Sequence, residues 1–483
     1  MSKKFLVILV ALVLMTTYLV IVGLSRWGDI TPPEILITQP FDQVGPSTPL
    51  SIRISDPDTG LRHISIRIVH NLKTYVLDKQ SFSSHGLLSA EGGTRHDYEL
   101  TVTPYEDETI PRKPGDAKLV ITARDYSWRN LLEGNRHRIT QDFTPKFSPP
   151  RLELLSPPSS IAQGGSGVVR YRASPDAVTH GVKIQSAFFP GYPMPDDSGM
   201  FALIAMPYNA KSNTPIQLTA QDAVGNTAIL DVDLRVKKKA WRTRRIGISD
   251  SFIEKTVLPI IAQTPELPEQ STNLENFVMV NNQLRQINNQ TIRDFSKQSE
   301  AAFLWTKAFR QLPGSKVEAS FADHRNYVYK NKVVDTQDHL GFDLAVTKHY
   351  PVQASNDGVV LFAGYLGIYG NTIIIDHGYG LQSLYAHLSS FSVKTGDAVL
   401  IGQIIARSGT TGLAAGDHLH FSLVLHGEQV NPTEWWDANW VQTRIRDKLS
   451  LEAPPEIILE PEQPEPSNAL GPRPGLNPPP ATP

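Results

Sequence analysis

Gly416-Asp417-His418-Leu419-His420-Phe421 runs on through Ser422-Leu423-Val424-Leu425, turning from alternating ionisable and apolar side chains to a largely apolar run. Side chains alternate across a β-strand, so the pattern predicts a strand with His418 and His420 on one face and Leu419 and Phe421 packed behind it. Upstream, His339-Leu340-Gly341-Phe342-Asp343 sets an imidazole and a carboxylate beside a second short strand over residues 342–346. A single histidine in a strand is ordinarily a packing residue. Two imidazoles on one face, with a His-x-x-x-Asp in the same domain, are instead a metal-site arrangement. Neutral imidazole and carboxylate suit a borderline ion such as zinc, which in catalytic sites keeps three protein ligands and one open position. The chain has no cysteine, so such an ion must be held by His, Asp or Glu, and no disulfide staples the domains.

Most of the 14 histidines fall between His324 and His426, and the motifs there follow one another in order. After His339-x-x-x-Asp343 come Gly370-Asn371-Thr372-Ile373-Ile374-Ile375-Asp376-His377-Gly378 and Leu384-Tyr385-Ala386-His387-Leu388. Lys394-Thr395-Gly396-Asp397-Ala398-Val399, Gly402-Gln403, Ser408-Gly409-Thr410-Thr411-Gly412, the His418-x-His420 strand and Val430-Asn431-Pro432 complete the series. The segment resembles the lysostaphin-type (LytM-like) zinc metallopeptidases, which cut peptidoglycan peptides. The resemblance implies an all-β peptidase domain over residues 313–445, with His339, Asp343 and His420 as zinc ligands and His387 and His418 as the non-ligand catalytic histidines. It further implies a zinc-activated water as nucleophile and peptidoglycan as substrate. His418 would move the water proton and His387 would orient the water or bond the oxyanion, two roles that can be exchanged. The alternative is a non-enzymatic regulator or scaffold that activates another wall hydrolase, for which a missing ligand is the expected mark; none of the five positions is substituted. Ala322 stands where the family usually has glycine. His377 is expected to be structural or to support a ligand, and His349 and His426 to be surface or edge positions. The Gly-rich stretches 409–416 and 366–370 are expected to wall a narrow cleft.

At 483 residues the chain exceeds one ordinary core. Lys3 and Lys4 precede an apolar run over residues 5–24, long enough to cross about 30 Å of hydrocarbon. No small-x-small cleavage site is evident, so the run is read as an uncleaved single-pass anchor with a cytoplasmic N-terminus and everything beyond about residue 28 periplasmic or extracytoplasmic. Pro32-Pro33-Glu34-Ile35-Leu36-Ile37 and Pro149-Pro150-Arg151-Leu152-Glu153-Leu154 open two similar stretches. Each later reaches a strand and turn, 119–125 with Asn130 and 216–222 with Asn226, which suggests a repeat. The expected architecture is multidomain and mainly β: residues 1–28 a cytoplasmic stub and transmembrane helix, 31–145 and 148–237 two immunoglobulin-like β-sandwiches acting as spacers, 238–312 a basic and helical connector, 313–445 the peptidase domain, and 453–483 a disordered Pro-rich tail. Ser251 and Glu254 are read as a capping box for the connector helices, and the basic cluster 237–245 as a solvated linker. A net charge of -2 argues against nucleic acid as a partner. The partners expected are peptidoglycan, the membrane through residues 5–24, and envelope proteins through the sandwiches or connector.

Overall fold

The computed structural model describes residues 3–451, so the tail expected over 453–483 lies outside the described residues. Lys3–Gly28 is one helix, exposed along nearly all its length, with Val22 and Arg26 buried at its C-terminal end. Among the described residues it is the one helix long and apolar enough to cross a membrane.

Residues 31–145 form two antiparallel-rich sheets around one core. A three-stranded sheet, Glu34–Ile37, Leu50–Ser55 and Asp97–Val102, faces a five-stranded one that includes Leu61–His70 and Ala117–Asp125. Alternation along Leu61–His70 sends Ile64, Ile66 and Ile68 inward, where they meet Ile52, Ile54, Leu119 and Ile121. Residues 148–237 repeat the plan with two four-stranded sheets packed on Val169, Tyr171, Val182 and Leu218.

The two modules share a clip at their entrances. Asp222 accepts the backbone and side-chain N–H groups of Asn226, whose amide also donates to the carbonyl of Lys146 on the incoming chain. In the first module the partner of Asp125 is Asn135, not the Asn130 that the repeat suggested, and the Asn135 amide donates to the carbonyls of Asp29 and Thr31. Asn130 lies in the intervening turn, where Asn130, Leu131 and Leu132 all have positive φ.

The C-terminal domain is built on an eight-stranded sheet, in which Phe342–Ala345, Leu419–Leu425, Leu381–Leu388 and Asn371–Asp376 are consecutive neighbours. Leu381–Leu388 and Leu419–Leu425 are buried at every position, which is why they read as apolar runs. Both faces are covered. On one, Ile374, Leu384 and Val424 pack against Phe277, Leu284 and Ile292 of the preceding helices. On the other, Tyr385, Leu423 and Leu425 join a core that includes Trp305, Phe309 and Trp435 and continues into the second β module.

Several details differ from the sequence reading. Residues 299–312, placed with the connector, are built into the C-terminal domain: Glu300 N–H donates to Asp376, Phe309 N–H to Trp435 O and Arg310 N–H to Ser355 O. The basic cluster is no free linker, since Thr243–Ile248 pairs in parallel with Asp323–Tyr329 and Arg242 forks onto Asp323 at 2.6–3.2 Å. The capping box belongs to Thr272 and Glu275; Ser249, not Ser251, caps the earlier helix. Ser166 N–H donates to Glu434 and Trp435 Nε1–H to Ser166, so the second module is seated on the C-terminal domain and is no free spacer.

Candidate metal centre and cleft

Neighbouring strands bring their ends to one point. Lys332–His339 delivers His339 at its last residue, and Phe342–Ala345 sets Asp343 directly opposite His420, whose other neighbour on the sheet is Ala386. His387 follows Ala386 near the end of Leu381–Leu388, and His418 lies just ahead of Leu419–Leu425, bridged to Gly409. Gly341 is required by this convergence: a Cβ there would stand 2.6 Å from the His420 ring.

His339 Nε2 lies 2.9 Å from Asp343 Oδ1 and 2.9 Å from His420 Nδ1, and His420 Nδ1 lies 3.0 Å from the same carboxylate oxygen. The opposite nitrogens define what these atoms carry. His339 Nδ1 sits 3.1 Å from the Ser320 carbonyl, an acceptor only, so the proton is on Nδ1. Ser422 Oγ–H is spent on Leu340 O at 2.8 Å, so Ser422 accepts from His420 Nε2–H at 3.0 Å. Both inward nitrogens therefore present lone pairs, to each other and to a carboxylate. Three electron-rich atoms within 3.0 Å repel one another unless a cation sits among them. The spacing is close to the roughly 3.3 Å that separates ligands of a tetrahedral ion bound at 2.0–2.1 Å. His339, Asp343 and His420 are thus a group able to hold a metal ion.

Two further imidazoles face this point. His387 Nδ1–H donates to Thr411 O at 2.8 Å and His418 Nδ1–H to Gly416 O at 2.7 Å, so in each neutral ring Nε2 carries the lone pair; burial opposes charge on His418, but Asp343 outweighs it and raises its pKa. Their rings lie 4.8 Å apart, and His418 Nε2 is 3.5 Å from Asp343 Oδ1. His387 has a φ of 61°, a left-handed conformation uncommon outside glycine, which aims its ring toward this point. Burial, helped by the neighbouring His418 and His420, pushes the His387 imidazole well below its ordinary range. Burial opposes the charge on Asp343, but His339, His418 and His420 outweigh it and hold the carboxyl well below 3.8.

Arg325 was not singled out in the sequence. Its Nη2–H donates to Asp343 Oδ2 at 2.6 Å, so one carboxylate oxygen is anchored while the other faces the imidazoles. The reason it was missed is local: Phe321-Ala322-Asp323-His324-Arg325 departs from the family pattern, and Ala322, buried with a φ of 59°, holds the turn usually given to glycine. His377 lies apart from the group, buried with Nδ1 on Asp357 O at 2.6 Å and Nε2 on Ser383 at 2.7 Å. His349 is half exposed and its N–H donates to Asp417. His426, partly buried in the turn that ends Leu419–Leu425, is an edge position that packs against Phe189 and Tyr192 of the second β module.

The group floors a cleft enclosing roughly 500 Å³. Ile368, Tyr369, Leu413, Ala414 and Gly416 line one side, from the two Gly-rich stretches. The other side comes from outside the peptidase domain: Arg244, Ile246 and Ile248 of the parallel strand, with Phe252, Phe277 and Arg285 of the helices.

Residues 337–432 match Peptidase family M23. A DD-carboxypeptidase/endopeptidase, Mpg, of Neisseria meningitidis serogroup B is 46% identical over 94 residues, 20% of this chain and 22% of the relative. The peptidoglycan DD-endopeptidase ShyA of Vibrio cholerae serotype O1 is 35% identical over 128 residues, 26% of this chain and 29% of the relative. The chain thus spans under a third of the length of these curated relatives. Among solved structures, the catalytic domain of lysostaphin from Staphylococcus simulans is matched at 25% identity and a TM-score of 0.20, covering 30% of this chain and 96% of that one. The ordered motifs and the Neisseria and Vibrio relatives agree: residues 337–432 match a family M23 peptidase domain and are similar to the lysostaphin-type, LytM-like peptidases.

Proposed function

We propose that the chain is a membrane-anchored zinc metalloendopeptidase that hydrolyses peptide bonds in the stem peptides or cross-links of peptidoglycan. The observation that carries this reading is the meeting of two imidazole lone pairs and one carboxylate oxygen at His339, His420 and Asp343. That donor set, without thiolate, fits a catalytic zinc with three protein ligands. Zinc held there supplies a water acidified to a pKa of roughly 7 and a Lewis acid for the scissile carbonyl.

The remaining steps belong to side chains. His418 has its Nδ1–H tied to Gly416 O, so its Nε2 is the atom that takes the proton of the attacking water and returns it to the leaving amine. His387, with Nδ1–H on Thr411 O, directs Nε2 to the same space and orients the water. Protonated, it would instead donate to the developing oxyanion, a bond worth about 3 kcal/mol where single donors have been removed. Arg325 keeps Asp343 ionised and fixed. Peptidoglycan is supported as substrate by the activities named for the Neisseria and Vibrio relatives and by the apolar helix ahead of the modules.

The test is digestion of purified peptidoglycan by the full chain in detergent, with products identified by mass spectrometry. New free amino and carboxyl ends, lost with chelator and restored by zinc, are expected. Unchanged release by His418→Ala or Asp343→Ala would refute the assignment. The full chain is the right material, because a fragment starting at 313 would strip Trp305 and Phe309 from the core.

A further inference from the structure

The hairpin-like loop over residues 83–94 is closed by a bridge between Ser84 and Gly93 and carries two leucines at its tip, Leu87 69% and Leu88 54% exposed. It lies along the N-terminal helix. Tyr18 Oη–H donates to Leu88 O at 3.1 Å, Arg26 Nη1–H to Ser89 O at 3.4 Å and Ser25 Oγ–H to Ala90 O at 2.8 Å. Three consecutive loop carbonyls are thus satisfied by polar residues of a helix that is otherwise almost wholly apolar. Tyr18, Val22, Ser25 and Arg26 recur at the spacing of one helix face, and Val22 and Arg26 are its buried residues. The loop therefore descends the helix, with its tip at the Tyr18 hydroxyl.

Tyr18 stands six residues before Leu24, the last residue of the apolar run, or about 9 Å at 1.5 Å per residue. With the helix across a bilayer, the tip lies below the hydrocarbon boundary, whose half-thickness is about 15 Å. Irregular backbone is tolerated at that depth only where its polar groups find partners in the protein; the three helix donors supply partners for three carbonyls, and Ser89 N–H donates to Gly86 O within the loop. A second loop reaches the level of helix exit. Arg129 Nε–H donates to Trp27 O, and Leu131, 99% exposed, and Leu132, 53% exposed, stand beside Trp27 and Trp128, whose rings meet edge to face at 5.6 Å.

We propose that the first β module is seated in the bilayer surface, with Leu87 and Leu88 inserted among the acyl chains of the outward leaflet and Leu131 and Leu132 at its interface. This rests on reading residues 5–24 as an uncleaved anchor. The occupant is lipid because the leucines are continuous with the lipid-facing surface of the helix. Its consequence is that the module does not swing on a linker: the anchor fixes its tilt.

The chain has no cysteine, so single labels can be placed. Leu72, 99% exposed in the turn at the opposite end of Leu61–His70, is the control. Full-length Leu88→Cys, Leu72→Cys and Val13→Cys variants carry an environment-sensitive fluorophore in phosphatidylglycerol and phosphatidylethanolamine vesicles containing acyl-brominated lipid. The expected result is loss of fluorescence and a blue-shifted emission at 88 and 13, with neither at 72. Quenching at 13 without quenching at 88 overturns the proposal alone. No quenching at 13 removes the anchor reading and the proposal with it.

Discussion

His377 and His420 are both enclosed, one just past the end of a strand and the other within a strand of the same sheet, and burial lowers both imidazoles to about 4, yet only one belongs to a candidate centre. The difference is what each nitrogen faces. His377 spends both, on Asp357 O and Ser383 Oγ. His420 spends Nε2 on Ser422 and turns Nδ1, bearing a lone pair, toward His339 and Asp343. Burial and titration do not distinguish a ligand from a packing residue; the direction of an unspent lone pair does.

Substitutions can break that contrast. His420→Ala is expected to abolish peptidoglycan hydrolysis, while His377→Asn retains it, as read by product release. His418→Ala should keep the metal and lower kcat by about 10²- to 10⁴-fold, the usual contribution of a general acid–base residue. Ser422→Ala frees His420 to adopt the wrong tautomer, and a loss of about 10- to 100-fold in metal affinity follows, measured by competition with a chelating dye. Smallest in its effect on chemistry, His377→Asn should cost stability, about 1–3 kcal/mol for its buried partners in denaturant unfolding. His377 also gives the contrast a pH signature. Its folded value of about 4 lies below the ordinary 6.5, so the unfolded chain binds the proton first. Its contribution is complete above about pH 6.5 and is lost as pH falls from there through 4, in the metal-free chain. The His377→Asn variant should show a shallower loss over that window.

The residues of the candidate centre were legible because short spacings group them: His418-x-His420 lies at the head of one strand, and His339-x-x-x-Asp343 spans the short link between two. Arg325 was not legible, since its tie to Asp343 crosses from a neighbouring strand in the one segment that departs from the family pattern. The cleft's second wall was hidden for the same kind of reason. Thr243–Ile248 reaches its partner strand some 80 residues away in parallel, and its basic residues carry no local signal of a sheet. The repeat of the β modules was readable in its strands but misaligned at Asn130, because the turn inserted before Asn135 lengthens the loop without altering the clip. His426 was read as a surface or edge position, and nothing in its sequence neighbours reveals that Tyr192 of another module stacks on it there.

The most direct test is calorimetric titration of the chelator-stripped full chain with zinc, run in parallel on His420→Ala and His377→Asn. One tight site per chain in the parent and in His377→Asn, and none in His420→Ala, is the expected result. Equal binding by His420→Ala and the parent would contradict the assignment of His339, Asp343 and His420 as the metal centre.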